Sequence, residues 1–143
     1  MIADIYYMTM AGRNADPMSF VHAKPSISNI EHGKREHYVK VDQIDMEIDS
    51  SLTHSFAMAK ASEELFSLYN GVSKKPNPLS TPEKQEYLKK LSVGHTSMSV
   101  GDFVVFGETK ERIYVVDSMG FKKVEPTNAW FESLYFPTKP GES

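Results

Sequence analysis

The strongest constraint on the fold is an uninterrupted apolar run in the last third of the chain, Phe103-Val104-Val105-Phe106. A short apolar run between turn-forming residues is typical of a buried strand. Gly107 to Glu111 then turns the chain, and the residues from Arg112 to Asp117 form a second strand-like run. After Ser118-Met119-Gly120 a third run begins. This pattern predicts a three-stranded antiparallel meander with strands near residues 99–107, 112–117 and 120–125.

Two further strands and two helices are predicted before the meander. The residue patterns at 2–10 and at 38–48 indicate strands, and a one-residue slip of the apolar phase within the second predicts a β-bulge at Gln43. An apolar stripe predicts a helix over 55–70, and Ser80-Thr81-Pro82-Glu83 predicts the start of a short helix that ends near residue 91. Residues 11–17 are a cluster of turn formers, and no period is sustained from Met18 to Lys34, which is predicted to be a long loop.

Together these elements predict an α+β protein: a single domain with a bent antiparallel sheet or a small β-barrel and two packed helices. A chain of 143 residues can bury a sizeable core without covalent staples. The absence of cysteine excludes disulfides, thiolate metal sites and cysteine nucleophiles. Within one compact domain we expect a strand and long loop at 1–37, an α+β body at 38–125, and an aromatic helical turn and tail at 126–143.

Residues 92–124 contain two segments that resemble a known family. They read Gly94-His95-Thr96-Ser97-Met98-Ser99-Val100-Gly101-Asp102-Phe103-Val104-Val105 and Tyr114-Val115-Val116-Asp117-Ser118-Met119-Gly120-Phe121. The YodL-like domains of phages, prophages and conjugative elements show similar segments, GHSLSVSDVV and YYVDSFGF. The resemblance extends over residues 38–125, although Gly101 replaces a usual serine and the spacer at 73–91 is longer. It implies a setting in mobile genetic elements and no particular reaction.

Four residues of these two segments are predicted to be structural. Gly101 and Gly120 suit turns because glycine takes a positive φ at little cost. Asp102 and Asp117 are expected to hold the same turns, since aspartate side chains bond nearby backbone amides.

A hydrolase site around His95 is one functional hypothesis. The residue types of a Ser-His-Asp arrangement are present near it, but the Gly-x-Ser-x-Gly nucleophile motif is not. We therefore expect these polar side chains to satisfy turn amides, and we predict no catalytic residue. The residues in question are Thr96, Ser97, Ser99, Asp102 and Asp117.

A metal site is the second hypothesis that the sequence raises. His32 and His37, with Glu31 and Glu36, could offer nitrogen and oxygen ligands. Their spacing is not that of a helical pair and no third ligand is near, so we predict solvated side chains, no metal and no cofactor.

Nucleic-acid binding is a further alternative. Four basic pairs could line a groove, but the net charge of −3 argues against phosphate binding. The basic pairs are Lys34-Arg35, Lys74-Lys75, Lys89-Lys90 and Lys122-Lys123, with Tyr87 and Trp130 as stacking residues.

The sequence offers no sign of membrane insertion or export. It has no apolar run long enough to span a membrane, and Met1 to Asp4 lacks the basic start of a signal peptide. We expect a cytoplasmic protein, in the host bacterial cytoplasm if it is phage-encoded.

A protein partner is the favoured functional prediction. The sequence has eight methionines, which can fill a core or form an adaptable surface, and aromatic residues dominate interface energetics. We therefore expect a non-enzymatic phage or mobile-element accessory protein that binds and modulates a host or element-encoded protein. The alternative is a nucleic-acid or nucleotide-binding small barrel. The expected partner surface is formed by Trp130, Phe131 and Tyr135, together with Phe20 and His22 from the loop between Met18 and Arg35.

Overall fold

The computed structural model of the protein describes residues 1–107 and 112–125. The described chain forms five strands: β1 (Ile2–Met8), β2 (Tyr38–Asp45), β3 (Phe103–Phe106), β4 (Arg112–Val116) and β5 (Phe121–Val124). Its four α-helices are α1 (Met10–Ala15), α2 (Lys24–Glu31), α3 (His54–Leu68) and α4 (Pro82–Lys90). The aromatic helical turn and tail predicted at 126–143 lie outside the described residues.

The strands form one antiparallel sheet in the order β2-β1-β3-β4-β5, so the α+β class and the predicted meander are confirmed. The sheet is open, with β2 and β5 at its two edges, and the barrel alternative is therefore wrong. β1 pairs with β2 on one side and with β3 on the other.

Both faces of the sheet are covered. On the first face, side chains of β1 and β3 such as Ile5 and Phe106 pack in a core with α3 and α4, represented by Leu65 and Leu88. On the second face, Val105 belongs to a core that includes Ala23 and Ile30 beside and within α2. β3 is apolar at every position because its successive side chains enter two different cores.

The prediction of a long loop from Met18 to Lys34 is wrong, because much of this segment is helical and α1 precedes it. The Thr9 side chain accepts from Gly12 N and caps α1, while Asp16 caps a 3₁₀ turn at Pro17–Phe20. α2 has Pro25 in its first turn, and its Ser26 hydroxyl donates to the Gly101 carbonyl at 2.7 Å. A contact across 75 residues, rather than an apolar period, anchors this helix.

The bulge in β2 lies at Val41 and not at Gln43. Ile5 pairs with Asp42 and Tyr6 pairs with Lys40, which leaves Val41 as the extra residue. Val41 and Asp42 consequently lie on the same face of the sheet. The apolar phase changes after this point, so the sequence indicated the slip but misplaced it by two residues.

Candidate functional site

The carboxylate of Asp102, directly before β3, is a highly connected polar group. Its side chain is fully buried. Oδ1 accepts from the backbone N–H of Met8 at 2.9 Å and from Arg13 Nη2 at 3.1 Å. Oδ2 accepts from the backbone N–H of Ser99 at 2.8 Å and lies 2.8 Å from His95 Nε2. The carboxylate thus joins β1, α1 and the turn before β3.

Three of the four partners of Asp102 can only donate. The Met8 and Ser99 amides and the Arg13 guanidinium together donate to both carboxylate oxygens. In the neutral tautomer of His95 whose Nε2–H donates to Oδ2, the other ring nitrogen is an acceptor. The remaining ring nitrogen, Nδ1, makes no hydrogen bond within residues 1–107 and 112–125.

The ring of His95 is also held by stacking. It lies parallel to the ring of Tyr7, with centroids 4.7 Å apart and an interplanar angle of 8°. Burial raises the pKa of Tyr7, and the negative charge of Asp102 raises it further. Tyr7 is therefore a neutral phenol whose hydroxyl donates to the Thr96 carbonyl at 2.8 Å. Together these contacts fix the position of His95.

Arg13 links the carboxylate of Asp102 to the segment that contains Ser19 and Phe20. Only 5% of its side chain is exposed, and Nη1 donates to the carbonyls of Ser19 at 3.0 Å and Val100 at 2.6 Å. The ring of Phe20 covers the guanidinium at 4.5 Å. Gly101 lies against this arrangement with φ +93°, and a Cβ at that position would come within 3.1 Å of Arg13 Nη1.

A cleft of about 610 Å³ opens beside His95. Its walls come from Met10 of α1, Leu88 of α4, and Val93 in the segment that follows α4. His95 itself is 23% exposed and contributes to the lining. The lining is mostly apolar, which is typical of small-molecule sites.

Four large apolar side chains are exposed on two segments that meet at Asp117, and we call these four residues the apolar patch. They are Met18, Phe20, Val21 and Met119, which are 48%, 62%, 53% and 90% exposed. Asp117 brings its two parts together, because Oδ1 accepts from the backbone N–H of Ala23 at 2.9 Å and from that of Ser118 at 2.8 Å. The hydrogen bond from the Ser118 amide lowers the pKa of Asp117, and the hydrogen bond from the Ala23 amide lowers it further.

The structure separates the residues predicted from the sequence. Phe20 lies in the apolar patch, and His22 is half-buried beside it, close enough for its charge to act on Asp117. Gly120 has φ +82° in the turn that Asp117 closes by donating its N–H to the Gly120 carbonyl. Trp130, Phe131 and Tyr135 lie outside the described residues.

The links from Asp102 to Met8 and Arg13 escaped the sequence reasoning. They connect positions 94 and 89 residues apart, and no local pattern marks such a pair. Within the described ranges, no three His, Asp or Glu side chains are placed to hold a metal ion.

No protein-family model, curated protein or solved structure matches this chain. The resemblance to the YodL-like domains stays a prediction. Function is therefore inferred from the geometry of the cleft beside His95 and of the apolar patch.

Proposed function

We propose that this protein is a non-enzymatic accessory protein of a phage or other mobile element, and that it binds a host or element-encoded protein through the apolar patch. The patch carries the proposal: four large apolar side chains are exposed on two segments that Asp117 fastens together. Exposed apolar patches of this kind are typical of protein-binding sites. The setting in mobile elements rests on the sequence resemblance alone.

The charges beside the patch indicate the chemistry of the partner. His22 and Lys122 lie close enough to Asp117 to lower its pKa. Lys24 follows the patch at the start of α2 and is exposed. The carboxylate of Asp117 already accepts hydrogen bonds from two backbone N–H groups. An apolar partner segment flanked by acidic residues would therefore complement this surface.

The alternative functions receive less support from the geometry. Lys74 and Lys75 line a cleft with β2, whereas Lys122 and Lys123 lie on β5, at the opposite edge of the sheet. These two of the four basic pairs therefore lie at different edges of the sheet and do not share one groove. For the hydrolase hypothesis, His95 has no hydrogen bond to a serine or threonine hydroxyl within the described part of the chain. No described helix is long and apolar enough to cross a membrane.

Replacing Met18 and Met119 by serine should weaken binding of the partner by about 30-fold, since central interface residues contribute about 2 kcal/mol or more. The partner would first be recovered from host lysate with the wild-type chain and then titrated by calorimetry. Phe56→Ser is the matched control, because Phe56 is 69% exposed on α3 and lies outside the patch. Equal losses in both variants, or none in the patch variant, would contradict the proposal. If affinity instead fell about a thousandfold between about 50 and 200 mM salt, the partner would be a nucleic acid.

Asp117→Ala should loosen the two halves of the patch while leaving the sheet intact. The variant removes the acceptor of the Ala23 and Ser118 amides. We expect hydrogen exchange at the Ala23 amide to accelerate about fivefold, because a net hydrogen bond contributes about 1 kcal/mol.

The same bond should depend on pH in a defined direction. The pKa of Asp117 is lowered on folding, so its contribution is present above the ordinary aspartate value of about 4 and is lost as the pH falls through the lower folded value. An NMR pH titration that follows the Asp117 carboxyl and the Ala23 amide together measures this. An Ala23 amide that stays protected after Asp117 is protonated would contradict the assignment.

A further inference from the structure

We propose that the cleft beside His95 binds a small molecule with an apolar body and one O–H or N–H donor, and that His95 Nδ1 accepts from this donor. This inference goes beyond the proposed function, and the cleft is lined by residues other than those of the apolar patch. Its volume of about 610 Å³ lies within the range of natural small-molecule pockets. Met10, Leu88 and Val93 provide an apolar wall for the body of the ligand.

The need for a donor follows from the hydrogen bonds around His95. In the neutral ring whose Nε2–H donates to Asp102, the carboxylate accepts this hydrogen bond in addition to three others from N–H groups. In the neutral ring Nδ1 then has a lone pair and no proton. His95 lines the cleft, and no described residue forms a hydrogen bond with Nδ1. A ligand that donates to Nδ1 would therefore satisfy an acceptor that the fold leaves open.

The hydrogen bonds of two other residues that line the cleft, Gln85 and Thr96, are made within the protein. Gln85 Nε2 donates to the Ser80 carbonyl, and the Thr96 carbonyl accepts from both Tyr7 and Asn77. These groups already have partners, whereas Nδ1 does not. The geometry also lowers the cost of binding, because the stack on Tyr7 and the bond to Asp102 fix the imidazole in advance.

Phenol and anisole form the matched pair of probes that tests this inference. Both have an aromatic body, but only phenol has a donor. We expect phenol to bind with a Kd of about 1 mM, and anisole to bind about tenfold more weakly, as the loss of one hydrogen bond predicts. Two-dimensional NMR titration of the full chain, followed at the amides of Gly94 and Thr96, measures both affinities.

Two variants separate the role of the ring nitrogen from that of the apolar wall. His95→Phe keeps an aromatic ring against Tyr7 but removes Nδ1, so the ratio of the phenol and anisole affinities should fall to about one. Met10→Glu, at a half-exposed position of the wall, should weaken both probes by about tenfold or more without disturbing the Asp102 cluster.

Three results would overturn the inference. Equal affinities of the wild-type chain for phenol and anisole would show that Nδ1 accepts no hydrogen bond from the ligand. Shifts confined to residues outside the cleft would show binding elsewhere. If the His95→Phe chain fails to fold, Met10→Glu still decides: unchanged phenol affinity in that variant would exclude the cleft as the site.

Discussion

Asp102→Ala is expected to lower the free energy of unfolding by about 3–5 kcal/mol, a large part of the total of about 5–15 kcal/mol for a single domain. The variant leaves the guanidinium of Arg13 buried without its counter-ion. It also removes the acceptor of two backbone amides, those of Met8 and Ser99. Urea unfolding followed by circular dichroism measures the loss.

The exposed pair of Lys89 and Glu86 supplies the control for this prediction. Glu86→Ala should leave the unfolding curve nearly unchanged, because exposed ion pairs contribute little. The double variant Arg13→Met with Asp102→Ala should recover part of the loss, since it no longer buries an unpaired charge. Strictly additive effects of the two substitutions would contradict a direct coupling between Arg13 and Asp102.

Gly101→Ala should destabilise the fold more than the same change at Gly120, although both glycines have positive φ. The backbone strain common to the two positions costs about 1–2 kcal/mol. At Gly120 a new Cβ meets nothing within 4 Å. At Gly101 it would lie 3.1 Å from Arg13 Nη1 and 3.2 Å from both Ser19 O and Ser26 Oγ. This crowding should add about 1–3 kcal/mol, the usual cost of overpacking.

The difference between the two glycine variants isolates the packing cost from the conformational cost. Thermal unfolding of both proteins under identical conditions gives this difference directly. Gly107→Ala is a second reference, because Gly107 has φ +84° and a Cβ at this position would meet no atom within 4 Å. If all three variants lose the same stability, the contact between Gly101 and Arg13 is not tight, and the arrangement around Asp102 tolerates a side chain there.

Local patterns in the sequence predicted most of the sheet. The strands of the meander, the N-terminal strand and the helices α3 and α4 were found because apolar periods and turn formers mark them within a few residues. α2 was missed because only Ile27 and Ile30 give it an apolar side, and its anchor through Ser26 is a distant one.

The candidate site was predictable only in fragments. Asp102 was expected to hold a turn, and its bond with the Ser99 amide is of that local kind. Its bonds to Met8 and Arg13 arise only when α1 packs against the turn before β3. The hydrogen bond from the Ala23 amide to Asp117 likewise joins residues that are 94 positions apart, and no local period encodes it.

The strand order has a consequence for synthesis on the ribosome. β1 pairs with β3 through contacts such as Ala3 with Phe106, which lie about 100 residues apart. At translation rates of about 5–20 residues per second, β3 is synthesised roughly 5–20 s after β1. During that interval β1 can pair only with β2, and its other edge is open to chaperones or to neighbouring nascent chains. A ribosome that stalls before Asp102 would therefore hold a chain whose two cores cannot close.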